Sequence, residues 1–190
     1  MEYVLIIVGA ALVNNIVLTQ FLGICPFLGV SSRTSTALGM GAAVVFVMTL
    51  ATLATTLIDA GVLRPLGLEF LQTVTFILVI ASLVQLVEIA LKRVSPVLHQ
   101  ALGVFLPLIT TNCAILGVAL LVVSRDMPLG EGIVFAIGNS LGFVLALYVF
   151  AGLRERFELV GIPKAMRGAP AALVTAGLLA LAFGGFQGLV

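Results

Sequence analysis

Long stretches without aspartate, glutamate, lysine or arginine constrain this chain more than any other feature. Six of them lie at residues 3–32, 34–58, 70–87, 94–124, 132–153 and 168–190. A helix needs about 20 apolar residues to cross the hydrocarbon layer of a bilayer, and each stretch is about that long. The pattern predicts an all-α integral membrane protein with six transmembrane helices. With 9% charged residues, against roughly 25% in soluble domains, the chain leaves no room for a soluble catalytic domain, a nucleotide-binding fold or a nucleic-acid surface.

The basic residues divide unevenly between the predicted loops. Two of them, Arg64 and Arg125, lie in the even-numbered loops. Seven lie in the odd-numbered loops: Arg33, Lys92, Arg93, Arg154, Arg156, Lys164 and Arg167. Because loops rich in lysine and arginine stay on the cytoplasmic side, we expect the odd-numbered loops in the cytoplasm and both termini on the outer face.

The two halves of the sequence share a pattern around the two cysteines. The hexapeptides at 25–30 and 113–118 both read Cys-x-x-Leu-Gly-Val, and Leu-Gly-x-Gly recurs at 38–41 and 129–132. These matches predict a single membrane domain, residues 1–190, built from one repeat of about 1–93 and a second of about 94–190. Since three spans reverse the direction of the chain, the second repeat is expected to be inverted, as in many transporters.

Both cysteines stand beside residues that favour the start of a helix. A Thr-Thr-Asn segment at 110–112 precedes Cys113, and the side-chain oxygens of such residues are preferred N-caps. Pro26 follows Cys25, and proline is favoured at the first helical position. We therefore expect broken helices at both cysteine motifs, with their starts converging from opposite faces near the midplane. Two positive helix ends at one place would favour thiolate over thiol.

Cys25 reaches the midplane only if the first span is interrupted. An unbroken helix over residues 3–24 would put this cysteine about 33 Å from the outer surface at 1.5 Å per residue, close to the opposite interface. We therefore predict a break or a strong tilt in the first span, around Asn14-Asn15 or Leu22-Gly23-Ile24.

Three roles are open to the two cysteines. A free cysteine is often a small, inert apolar residue, and a disulfide would gain little chain entropy between helices that are already fixed. A metal centre is the third role, but structural zinc sites and iron–sulfur clusters typically have four protein ligands. No histidine or carboxylate lies near either cysteine in the sequence. One chain therefore offers half a site, which a second, similar protein chain could complete.

Three segments of the chain carry a family resemblance. They are Leu12–Leu18 (LVNNIVL), Phe21–Val30 (FLGICPFLGV) and Gly103–Ala119 (GVFLPLITTNCAILGVA). In these segments the chain closely resembles the RnfA family, the A subunits of the Rnf ion-translocating electron-transport complex. It is similar, less closely, to the E subunits of the sodium-translocating NADH:quinone reductase. The resemblance extends over essentially the full length.

The resemblance implies a component of a redox-driven ion pump of the bacterial inner membrane, which exchanges electrons between NADH and ferredoxin. In that family the protein pairs with a homologous subunit of opposite orientation, RnfE, and the two share a [2Fe–2S] cluster that relays electrons across the membrane. Cys25 and Cys113 match the ligand positions, and Pro26, Thr111 and Asn112 are expected to support the site. NADH, flavin and most iron–sulfur binding would belong to other subunits, and this sequence has no dinucleotide-binding fingerprint. The B, C, D and G subunits of Rnf are expected as further partners.

Polar residues inside the predicted spans keep two other functions open. Asn14, Asn15, Thr110 and Asn139 are candidates for an ion path, which a self-contained secondary transporter would also need. Each of them could equally form hydrogen bonds between packed helices. Ion-coupled carriers often place a carboxylate within a span, whereas the nearest one here, Glu88, is expected close to the cytoplasmic interface. A purely structural membrane subunit, the third possibility, would not need its cysteines.

Overall fold

The structure is a computed structural model that describes residues 2–94, 106–160 and 168–185. Within these ranges every regular element is a helix, as the charge-free stretches predict. In chain order the helices are α1 (Glu2–Val8), α2 (Ile16–Thr19), α3 (Ile24–Val30), α4 (Thr34–Ile58), α5 (Arg64–Leu66), α6 (Gln72–Val94), α7 (Leu106–Thr110), α8 (Cys113–Ser124), α9 (Leu129–Val160) and α10 (Ala169–Gly184). A π-helical turn at Gly9–Val13 continues α1, another at Asp59–Leu63 joins α4 to α5, and a 3-10 turn at Glu69–Leu71 precedes α6.

Four of the described helical segments are long and apolar enough to cross a membrane. They are Thr34–Leu66, Gln72–Ile89, Pro107–Ser124 and Leu129–Phe157. Two further apolar helices, Tyr3–Val13 and Ala169–Gly184, are shorter. The helical membrane fold is thus confirmed, whereas the division into six spans with an inverted repeat stays a prediction. Helix α9 also continues beyond the predicted span end at 153, so Arg154 and Arg156 lie in a helix rather than in a loop.

The first span is interrupted at both predicted places. The π-helical turn ends at Val13 with Asn14 as its C-cap, and the side-chain oxygen of Asn15 caps α2 by accepting hydrogen bonds from the N–H groups of Val17 (3.1 Å) and Leu18 (3.4 Å). Helix α2 lasts one turn, and α3 begins after Gly23. The φ of Gly23 is +85°, a left-handed conformation that glycine adopts without strain. Its lack of a side chain therefore permits the second break.

Helix α9 packs along α4 and along the broken first span. At Gly142 the two segments come so close that a Cβ would lie 2.8 Å from Cα of Ala11. The side-chain amide of Asn15 donates to the carbonyl of Gly142 (2.7 Å) and to that of Ala11 (3.0 Å). Membrane helices gain little from the hydrophobic effect when they associate, because the lipid around them is also apolar. They associate instead through close packing at small residues and hydrogen bonds between helices. The break in the first span is therefore held against α9 by a hydrogen bond and by close backbone packing.

Aromatic side chains fill the space between α3 and α9. Phe27, Phe143 and Phe150 are among the largest fully buried side chains in the described residues. The ring of Phe27 stacks on that of Phe150, with centroids 4.3 Å apart, a separation typical of favourable aromatic pairs. The short helix α3 is thus held by a side-chain contact near its middle.

A buried carboxylate ties the end of α4 to its neighbours. Asp59 is 3% exposed and accepts hydrogen bonds from Nε of Arg64 (2.8 Å) and Nε2 of Gln72 (3.1 Å). Arg64 also forms an ion pair with Asp126, between α8 and α9. Asp59 stands at the boundary of a charge-free stretch, and nothing in the sequence indicates its burial. Both of its oxygens have donors, which is the condition under which a carboxylate is tolerated inside a protein.

Candidate metal centre between the cysteine motifs

Cys113 is the first residue of α8, as the Thr-Thr-Asn segment predicts. Asn112 has an extended backbone, and its Oδ1 accepts a hydrogen bond from the N–H of Ala114 (3.0 Å). It is therefore the N-cap, because it satisfies one of the N–H groups that a helix start leaves unpaired. Thr111 does not contribute to the cap, since its exposed hydroxyl donates to the carbonyl of Pro107 (3.0 Å).

Cys25 is the second residue of α3, which begins at Ile24 after the N-cap Gly23. The broken helix at this motif is thus confirmed, but Pro26 is the third helical residue and not the first. Proline is tolerated there because the N–H groups of the whole first turn lack partners within the helix. Its buried ring lies on the inner side of α3.

The two helix starts lie side by side, as their predicted convergence requires. The backbone N–H of Gly23 donates a hydrogen bond to Sγ of Cys113, at 2.9 Å. A Cβ built on Gly23 would lie 2.9 Å from Cε2 of Phe143, 3.1 Å from Cβ of Ala114 and 3.4 Å from Oδ1 of Asn112. Only glycine fits at this crossing, so the residue that breaks the first span also lets the two cysteine motifs meet.

Both thiols are free, so no disulfide joins the two motifs. Cys25 is exposed and Cys113 is partly buried. Among the described residues, no group of three or more histidine, cysteine, aspartate and glutamate side chains could hold a metal ion. The two cysteines therefore present an incomplete set of ligands, one of them open to whatever covers this face of α3.

Asn112 also carries an unused hydrogen-bond donor. Its side chain is 4% exposed, and Nδ2 is buried without a partner among the described residues. Leaving such a donor unpaired costs about 1–3 kcal/mol, so a buried amide in this state usually has an acceptor that protein atoms do not provide. The donor belongs to the residue that precedes Cys113, and Oδ1 of the same side chain lies 3.4 Å from the Cβ position of Gly23. An anionic sulfur is the kind of acceptor that would fit.

The position of Cys113 suits a thiolate ligand. Helix α8 is 12 residues long, and the unpaired N–H groups at its start carry partial positive charge. Cysteines at helix starts are the ones that act as thiolates and bind metals. The N–H of Gly23 also donates a hydrogen bond to this sulfur.

The four residues considered for an ion path separate into two groups. Asn14 and Asn139 line one cavity of about 200 Å³, together with Gln20, Arg125 and Glu131. Asn15 and Thr110 are not part of its lining. All the hydrogen bonds that the structure shows for the Asn15 side chain go to neighbouring backbone, and this residue is fully buried. Asn15 therefore has a structural role in the break. Of the two cavity residues, Asn14 is exposed, whereas Asn139 is buried and its Nδ2 donates to the carbonyl of Phe135 (2.9 Å).

Comparisons with known proteins agree over the full length of the chain. The model of a family described as "Rnf-Nqr subunit, membrane protein" matches residues 3–190. The A subunit of an ion-translocating oxidoreductase complex from Syntrophotalea carbinolica is 59% identical over 186 residues, which cover 98% of this chain and 96% of that protein. The A subunit of a Na(+)-translocating ferredoxin:NAD(+) oxidoreductase complex from Acetobacterium woodii is 56% identical over 189 residues, covering 100% and 98%. The A subunit of an ion-translocating oxidoreductase complex from Vibrio campbellii is 53% identical over 189 residues, which cover 100% of this chain and 98% of that protein.

Proposed function

Because this chain belongs to the Rnf-Nqr family of membrane subunits, we propose that it holds half of a [2Fe–2S] cluster inside an ion-translocating oxidoreductase complex. Its relatives are named as subunits of such complexes, one of them acting between ferredoxin and NAD(+). Cys25 and Cys113 supply two thiolates, and two cysteines of a partner subunit supply the rest. The chain is a component of an enzyme complex, and we expect no activity from it alone.

The contact between the two cysteine motifs is the observation that carries this proposal. Cys25 and Cys113 are far apart in the sequence, yet the N–H of Gly23 reaches the sulfur of Cys113. Both thiols are free, and Cys25 is exposed. A [2Fe–2S] cluster takes four cysteine thiolates in its usual form, so two thiols at adjoining helix starts fit half of it.

When bound, the cluster would supply one-electron uptake and release within the membrane. This chain's own residues fix the ligands and their surroundings. The N–H of Gly23 reaches the sulfur of Cys113, and we assign Nδ2 of Asn112, which has no partner among the described residues, to the cluster as a further donor. Hydrogen bonds to the sulfurs stabilise the more negative reduced state and so raise the reduction potential. The half-site is thus suited to accept an electron deep in the bilayer and pass it on.

The partner we propose is RnfE, the homologous subunit of opposite orientation, with the B, C, D and G subunits of Rnf completing the complex. Exposure of Cys25 supports a partner on that face, because a cluster in lipid needs protein around all its ligands. We propose that the chain lies in the bacterial inner membrane. The distribution of basic residues predicts that the odd-numbered loops face the cytoplasm and both termini face the periplasm.

Iron in the assembled complex provides the test. Anomalous scattering at the iron edge should give a peak between Cys25 and Cys113, and electron paramagnetic resonance should show a [2Fe–2S] signal. Replacing Cys25→Ser or Cys113→Ser should remove that signal, whereas Thr111→Ser, an exposed neighbour, should keep it. A complex without iron at this place would overturn the proposal.

The same variants separate the two other functions. If the double Cys25→Ser, Cys113→Ser variant retains electron transfer and ion transport, the protein is a purely structural component. If the chain alone carries a solute into liposomes, it is a secondary transporter. Loss of electron transfer in the double variant, with the complex still assembled, supports the cluster.

We further propose that the cavity lined by Asn14 and Asn139 is part of the ion path. Asn139 lies 10 residues after the start of α9, about 15 Å along the helix at 1.5 Å per residue, which is half the hydrocarbon thickness. Arg125 and Glu131 line the cavity near the start of the same helix. The cavity therefore leads from one end of the helices to mid-depth and offers amide oxygens that can replace the water around a cation.

The variants Asn14→Leu and Asn139→Leu test this path. In proteoliposomes containing the whole complex, either change should lower the number of ions transported per electron while the [2Fe–2S] signal stays. Gln85→Leu is the matched control, because Gln85 is exposed on α6 and does not line the cavity. Unchanged transport in both asparagine variants would exclude this cavity.

A further inference from the structure

Arg154 binds the far end of the helix that carries Cys25. Its Nη1 donates to the carbonyl oxygen of Leu28 (2.9 Å) and to the hydroxyl of Ser31 (2.8 Å). The carbonyl of Leu28 is one of the last four of α3, which have no partner within the helix. Ser31 is fully buried. The guanidinium therefore closes the C-terminal end of α3 from a neighbouring helix.

Glu155, the next residue of α9, binds the helix that follows. Its Oε1 accepts hydrogen bonds from the backbone N–H of Thr34 (3.0 Å) and from the hydroxyl of Thr34 (3.2 Å). Thr34 is the first residue of α4, and its N–H also has no partner within the helix. The cation meets a negative helix end and the carboxylate meets a positive one, so each charge complements the helix dipole that it contacts.

These contacts continue a single line along α9. Phe143 lies against Gly23 at the start of the Cys25 motif, Phe150 stacks on Phe27 in the middle of α3, and Arg154 binds its end. Residues spaced by seven and then four positions lie on one face of a helix. One face of α9 therefore contacts the segment from Gly23 to Ser31 at three points.

We propose that Arg154 and Glu155 are positioning residues that set the location of Cys25 for metal binding. Helix α3 has seven residues, too few to be stable on its own, and its sequence neighbours on both sides are turns. It packs against α4 and α7, and the hydrogen bonds of Arg154 to Leu28 and Ser31 are its directional contacts with α9. Glu155 fixes the start of α4, which follows α3 after three residues. The effect on metal binding rests on the proposed cluster. The hold of Arg154 on Leu28 and Ser31, here called the clamp on α3, can be measured without the cluster.

Arg154→Gln in the whole complex is the variant that tests the clamp. Hydrogen exchange of the peptide covering residues 24–34 should become faster by about tenfold, since bonds to a charged group are lost. In assembled complexes the [2Fe–2S] content should fall or its midpoint potential should shift. Arg154→Lys should rescue part of both effects, because lysine keeps the charge but not the planar fork. Arg156→Gln is the control, since Arg156 forms no hydrogen bond or ion pair with the described residues.

The possible outcomes are distinct. Unchanged exchange and an unchanged cluster signal in Arg154→Gln, relative to Arg156→Gln, overturn the clamp. Faster exchange with an unchanged potential and iron content shows a merely structural contact and also overturns the positioning role. A wild-type complex without any cluster signal contradicts the proposed function instead, and the exchange measurement still reports on the clamp. Glu155→Gln, which keeps the acceptor oxygen but not the charge, should give a smaller increase in exchange than Arg154→Gln.

Discussion

The backbone N–H of Gly23 donates a hydrogen bond to the sulfur of Cys113 across 2.9 Å, although the two residues are 90 positions apart in the sequence. This contact joins two interrupted helices at the point where each begins again. It directs a donor at one cysteine from the motif that carries the other. The two cysteine motifs therefore form one structural unit, and its geometry depends on a residue without a side chain.

Gly23→Ala should lower the stability of this unit by more than the cost of the left-handed backbone alone. The left-handed backbone costs a non-glycine residue about 1–2 kcal/mol, and the added Cβ would clash with the buried ring of Phe143, 2.9 Å away. Such overpacking adds about 1–3 kcal/mol. The measurement is the temperature at which the complex loses half of its activity, together with its iron content.

Gly67→Ala provides the matched control for the Gly23 variant. Gly67 has a φ of +64°, but nothing lies within 4 Å of its Cβ position. It therefore carries the backbone penalty without the clash. Equal losses in the two variants would show that the crossing at Gly23 has room and that the close contact is unimportant.

Asn112→Ser should separate the two tasks of Asn112. Serine is as good an N-cap as asparagine, so α8 should still begin at Cys113. The Nδ2 donor, which has no partner among the described residues, would be lost. If it serves a cluster sulfur, the midpoint potential should fall by on the order of 50 mV, the electrical equivalent of one hydrogen bond. A redox titration followed by electron paramagnetic resonance measures the potential. An unchanged potential would show that Nδ2 of Asn112 does not donate to a cluster sulfur.

Asn15→Leu should destabilise the complex far more than Asn14→Leu. Asn15 is fully buried and bonds to four backbone groups, several of which would lose their partners. The expected loss is about 3 kcal/mol or more. Asn14 is exposed, and its change should lie within about 0.5 kcal/mol. Thermal inactivation of the two variants in parallel distinguishes them, and a stable Asn15→Leu complex would contradict the capping role.

Arg64→Gln should leave the buried carboxylate of Asp59 without its cationic partner. Asp59 is 3% exposed, and Gln72 is then its remaining donor among the described residues. The expected loss of stability is about 1–3 kcal/mol, the range for leaving a buried group unsatisfied. Asp126→Asn removes the exposed half of the same network and should cost at most about 1 kcal/mol. The comparison fails if the two variants lose activity at the same temperature.

The breaks in the helices could be predicted because their causes are local. Asn112 caps the helix that starts at Cys113 through its side chain, and Gly23 permits the left-handed turn before α3 because it has none. Pro26 lies two positions further into its helix than predicted, since every N–H in the first turn is free and proline fits several positions there. The burial of Asp59 and the clamp by Arg154 left no trace in the sequence, because both depend on partners in other helices.

The sequence by itself determined that this chain is a helical membrane protein with two cysteines at helix starts. In lipid every backbone N–H and C=O must find a partner within the protein, so apolar length and local capping residues decide where helices run and stop. Only the tertiary structure decided what those helix starts face. Bonds such as Asn15 to Gly142 and Gly23 to Cys113 span 127 and 90 residues, and they depend on how α8 and α9 pack against the broken first span. Packing of this kind is a property of surfaces that meet in space, and no local pattern in either segment encodes it.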